Sequence, residues 1–167
     1  MTTFPEPAGD TADPALLLVR YLDFYRATVV RKVASLPPHE QRSSRLPSGW
    51  TPVELLHHLA HMERRWLVWG FLGEEVAEPW GEDRDGRWHV PDDLRLAALI
   101  DALTEVGDRT REVLAGHPLE QRGVPGERFD GEPATLGWIG FHVLQEYARH
   151  AGQLDVAVEV AGGELGE

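Results

Sequence analysis

The sequence contains no cysteine. Disulfide scaffolds, zinc-thiolate fingers, iron–sulfur centres and a cysteine nucleophile are therefore excluded, and any sulfur chemistry needs a thiol carried in by a substrate. Cations are also scarce: 16 Lys+Arg, with Lys32 the single lysine, stand against 28 Asp+Glu for a net charge of −12. Such a surface repels polyphosphate instead of releasing its counterions, so no nucleic-acid partner is expected. No apolar run approaches the ~18 to 20 residues that cross a bilayer. The opening MTTFPEPAGD carries neither a basic stretch nor an apolar core like that of a signal peptide. A cytoplasmic location without membrane contact is the expectation. The 17 Gly and 12 Pro are too few and too scattered for a low-complexity chain, and 167 residues suit a single domain spanning 1–167.

What is present is helical patterning. Asp13-Pro14 sets a capping carboxylate before a proline suited to the first helical position, and the following run reaches Pro37-Pro38 without a breaker. Residues 37–50, rich in Pro, Ser and Arg, read as a connection. Thr51-Pro52-Val53-Glu54 is a capping box that predicts a second helix ending near Gly73. Residues 74–91 mix acids, glycines, prolines and two tryptophans, which predicts a structured loop of the kind that often carries function. Asp92-Asp93 opens a third helix reaching Gly116, residues 117–134 form a second long connection, and Thr135 caps a fourth helix closed by Gly162-Gly163. Helices of similar length joined by long connections predict an all-α four-helix bundle with at least one crossover.

Chemistry concentrates on two of these helices. Glu146 and His150, four residues apart, lie about 40° apart at ~100° per residue and one turn along, so both can point at one spot. The same spacing also describes an ordinary Glu–His hydrogen bond. His142 is better placed as a supporting or core group. On the second helix the apolar stripe Leu55, Leu59, Met62, Trp66, Trp69 includes His58, which should face the core, with His57 beside it and His61 at its margin above a cavity. A lone histidine on an apolar face is most often a core residue. Together, however, His58, Glu146 and His150 make two imidazoles and one carboxylate, a donor set suited to zinc or another first-row divalent ion. Arg64, Arg65 and Arg149 are either solvated or paired with carboxylates, or else contacts for an anionic substrate. Trp80 and Trp88 are candidate lid residues of a pocket.

The segments VELLHHLAHMERRW and FHVLQEYARHAGQLD resemble the two signature helices of the DinB-like superfamily, in its branch similar to mycothiol-dependent maleylpyruvate isomerase. The resemblance runs from the first helix to the fourth. It implies an up-down-down-up bundle and a divalent metal, zinc most often or nickel, held here by His58 of the His58-Leu59 pair and by Glu146 and His150 ahead of Gly152-Gln153. It implies dimerisation, a small-molecule substrate, and a low-molecular-weight thiol such as mycothiol as co-substrate, with Arg65, Arg149 and Gln153 as candidate contacts. Three functions follow as expectations. The first is a metal-dependent thiol S-transferase. The second is a hydrolase using metal-bound water with His61 or Glu63 as base. The third is a non-catalytic metal- or ligand-binding dimeric bundle.

Overall fold

The computed structural model describes residues 6–129 and 131–163. Helix α1 spans Pro14–Ser35 and starts as its sequence dictates: the Asp13 carboxylate accepts from the amides of Ala15 at 2.9 Å and Leu16 at 3.2 Å. Leu18, Leu22, Val29 and Val33 form its buried face. The connection that follows holds a single turn, α2, at Pro38–Gln41. Helix α3, Pro52–Arg64, begins on the complete capping box, with the Thr51 amide donating to Glu54 at 2.7 Å.

Beyond Arg64 the expected single helix changes character. Residues Arg65–Phe71 form a π-helical segment, and the amide of Leu72 reaches back five residues to the carbonyl of Leu67 at 3.1 Å. The second long connection docks on this wider turn. The Val124 amide donates to the Phe71 carbonyl at 2.9 Å, and a Cβ at Gly123 would stand 2.9 Å from the Gly70 carbonyl oxygen, so the approach requires glycine.

The structured loop after the π segment contains a two-stranded hairpin, β1 at Asp83–Arg84 and β2 at Arg87–Trp88. Its turn is Asp85-Gly86, both with positive φ (56° and 74°), the backbone that the Asp-Gly pair supplies most readily. Helix α4 spans Leu96–Gly116, starting three residues later than the Asp92-Asp93 pair suggested, because Pro91 to Leu94 close a turn of their own. Helix α5, Leu136–Val160, is capped by the Thr135 hydroxyl, which accepts from the Trp138 amide at 3.3 Å.

The molecule is an all-α bundle of four long helices among the described residues. Helix α1 packs mainly on α5 and α4, and α3 packs on the same two, so α1 and α3 face each other across the bundle. The consecutive pair α1 and α3 is thus diagonal, which the long connection between them makes feasible, whereas α3 and α4 are neighbours. None of the helices described is long and apolar enough to cross a membrane.

One carboxylate holds the centre of this arrangement. Glu63 on α3 is fully buried, and its oxygens accept from Arg26 Nε of α1 at 3.0 Å, from Arg26 Nη2, from the Thr110 hydroxyl of α4, and from the Tyr147 hydroxyl of α5 at 2.6 Å. Four donors from three helices fill the lone pairs of both oxygens. Gly107 makes the Arg26 crossing feasible, since a Cβ there would stand 2.9 Å from Nε. The expectation that Glu63 serves as a catalytic base beside a metal is therefore corrected: its carboxylate joins the helices and has no oxygen left for a substrate proton.

Candidate metal centre

His58 of α3 and Glu146 and His150 of α5 converge. Each offers a ligand atom, and these atoms all lie within 4.8 Å of one another. His150 is buried, and its Nδ1 lies 2.8 Å from the Gln153 amide oxygen, which accepts the Nδ1 proton. In the tautomer that donates from Nδ1, Nε2 keeps its lone pair and stands 3.1 Å from Glu146 Oε2. Two ligand atoms at that distance, with His58 beside them, can share one cation. Burial, foremost, holds the His150 imidazole below the ordinary histidine range against the pull of Gln153 and Glu146, so a second ring proton is disfavoured. A cation fits the arrangement.

The His58 ring meets His150 edge-on, with centroids 5.0 Å apart at 75°. The opposite contact is Trp88 of β2, stacked on His58 at 4.2 Å and 19° and touching His150 edge-on at 5.3 Å. The hairpin thus carries Trp88 over the cluster. Trp80 lies elsewhere, 4.1 Å above the Arg65 guanidinium. His142 stacks on Trp138 at 5.2 Å and touches Trp66 at 4.3 Å, with Nε2 3.8 Å from Glu146 Oε1, a supporting position and not a fourth corner.

Other residues marked by the sequence fall in different places. Arg65 is buried and committed: its guanidinium pairs with Glu82 and donates to the Pro79 carbonyl at 2.8 Å, so it anchors the loop instead of meeting a cofactor. Gln153 touches the His150 ring, setting its tautomer. Arg149 is exposed on α5. Glu82 is the residue that sequence reasoning missed. It is buried, and its Oε1 lies 3.4 Å from His58 Nδ1. Burial pushes its carboxyl up, but His58 and Arg65 outweigh that and hold it at about 2. The clue available was its place in the loop between two tryptophans, beside Gly81, where a Cβ would stand 3.1 Å from His61 Cε1.

His61 faces another space. With His57, Arg64 and an apolar floor including Val68, Leu99 and Val106, it lines a cavity of about 520 Å³ between α3 and α4 that none of His58, Glu146 and His150 lines. A directed chain runs along its rim. Arg64 Nη2 donates to His61 Nδ1 at 3.1 Å, His61 Nε2 donates to His57 Nε2 at 3.1 Å, and His57 Nδ1 donates to the His89 carbonyl at 2.9 Å. Both rings are neutral in this chain, and burial, above all, holds His61 down to about 4. The expectation that His61 stands over the metal is corrected: helical rotation carries it to the α4 side of α3.

The fold and cluster define a helical bundle with a two-imidazole, one-carboxylate site between two of its helices. The family model described as Mycothiol-S-transferase matches residues 17–163, and the chain belongs to that family, which is DinB-like. No curated protein matches the sequence.

Proposed function

We propose that the protein is a metal-dependent thiol S-transferase acting on a mycothiol-type thiol, with His58, Glu146 and His150 holding a divalent cation, zinc first. The observation that carries this reading is the convergence of one ligand atom each from His58, Glu146 and His150 within 4.8 Å of one another. Family membership supports the thiol. A divalent cation there supplies ionisation of a thiol at neutral pH. The chain's own residues supply the rest. Gln153 keeps the His150 proton on Nδ1, Trp88 covers the His58 ring face, and the buried setting of His150 keeps that imidazole neutral and able to ligate. A hydrolase with Glu63 as base draws no support from a carboxylate whose oxygens are already filled.

The test pairs metal content with turnover. Purified protein should hold close to one zinc per chain and consume an electrophile only when mycothiol is added; His150→Ala should lose both. A wild-type protein that transfers the thiol equally well after chelation overturns the metal dependence, and one that turns over the electrophile without thiol overturns the transferase.

A further inference from the structure

We propose that Glu82 is a positioning residue for this centre: its carboxylate holds His58 through Nδ1 and so commits Nε2 to the cluster. The inference rests on the metal reading above. Metal-binding histidines commonly give their second ring nitrogen to a carboxylate, which fixes the tautomer and raises ligand basicity. His150 uses Gln153 in this way, and Glu82 is the group that stands in the equivalent place for His58.

One buried atom points to this role. Among the described residues, His58 Nδ1 makes no hydrogen bond, although buried polar atoms are normally paired, and the carboxylate atom that faces it is Glu82 Oε1. The carboxylate lies between two imidazoles, Oε1 3.4 Å from His58 Nδ1 and Oε2 3.5 Å from His61 Nδ1. Its own position is fixed from the loop side by the Arg65 guanidinium and by its carbonyl, which accepts from the His89 amide at 2.7 Å. Arg65 in turn donates to the Pro79 carbonyl at 2.8 Å. The loop thus delivers Glu82 to the Nδ1 edge of His58 and Trp88 to its face, which together restrain both rotation and tilt of the ring. Arg65 neutralises the acid, so it can stand beside the cluster without competing for the cation.

The competing role for Glu82 is merely to neutralise the buried Arg65. Zn²⁺ dissociation constants from competition with a chromophoric chelator, and the visible absorption of the Co²⁺-loaded protein, separate the two. Glu82→Gln should weaken Zn²⁺ by about 10- to 100-fold and alter the Co²⁺ band intensities. The double variant Arg65→Met/Glu82→Gln removes both charges of the pair, a replacement that buried pairs tolerate, and it should remain as weak as Glu82→Gln. A double variant restored to wild-type affinity, or a Glu82→Gln affinity within twofold of wild type, overturns the positioning role. Wild-type protein that binds no Zn²⁺ overturns the metal reading beneath it.

Discussion

Two buried carboxylates, Glu63 of α3 and Glu82 of the loop that follows, behave in opposite ways. Glu63 accepts from Arg26, Thr110 and Tyr147 with nothing left over. Glu82 keeps Oε2 without a hydrogen bond, holds its other oxygen 3.4 Å from an unpaired His58 nitrogen, and borders the cluster where His58, Glu146 and His150 converge. A satisfied network rigidifies a fold, whereas an unsatisfied one of convergent ligands is waiting for a partner. Both acids are buried, so burial alone does not distinguish scaffold from site. The count of filled lone pairs does.

The largest effect tests the satisfied side. Glu63→Gln leaves Arg26 and Tyr147 buried with their partner's charge removed. Breaking a buried pair costs about 3–5 kcal/mol, and the retained Arg26–Asp23 contact at 2.6 Å puts the expectation at the lower end of that range. Urea unfolding of metal-free protein measures it. The folded fraction should bind Zn²⁺ as wild type does; a stability change below about 1 kcal/mol, the net worth of one ordinary hydrogen bond, would remove Glu63 from the centre of the fold.

The next effect tests the unsatisfied side. A ligand present at 100 times its dissociation constant stabilises the folded state by about 2.7 kcal/mol. Unfolding with and without zinc at that excess should show this gain for wild type and for Glu63→Gln, the latter from its lower baseline, and none for His58→Ala. A gain that persists in His58→Ala places the cation elsewhere.

The contrast between the two acids also explains what the sequence could convey. Helical spacing converts directly into angle, which is why Glu146 and His150, and His58 on the apolar stripe, were legible as a cluster, and why Asp13, Thr51 and Thr135 were legible as caps. The same arithmetic applies to Glu63: five residues past His58 at ~100° each places it about 140° around the helix, on another face. His61, three residues on, turns about 60° the opposite way, toward α4. Reading His61 from the margin of the apolar stripe and Glu63 as a possible base leaves that rotation out. Glu82 had no such handle. It is one of several acids in an aperiodic loop, and its burial depends on the Asp85-Gly86 turn, the Arg65 contact and the π segment acting together, none of which has a period to read.

The smallest effect sharpens the comparison through pH. Burial, foremost, holds His61 at about 4, below the ordinary 6.5. Between those values the unfolded chain takes up a proton that the folded chain refuses, so stability falls as pH drops from about 6.5 toward 4. His57 and His150 are lowered as well and act with the same sign. Glu82, held down to about 2 although burial pushes it up, contributes stability above its unfolded value of 4.5 that is lost as pH falls from there toward 2. Acid unfolding should therefore have two limbs. In metal-free protein, His61→Gln should flatten the upper limb, and Glu82→Gln should flatten the lower one while steepening the upper, because the Glu82 charge raises His61 and His57. If His61→Gln instead leaves the slope between pH 6.5 and 4 unchanged and moves its effect above 6.5, the imidazole is charged in the folded state and its Nδ1 does not accept from Arg64.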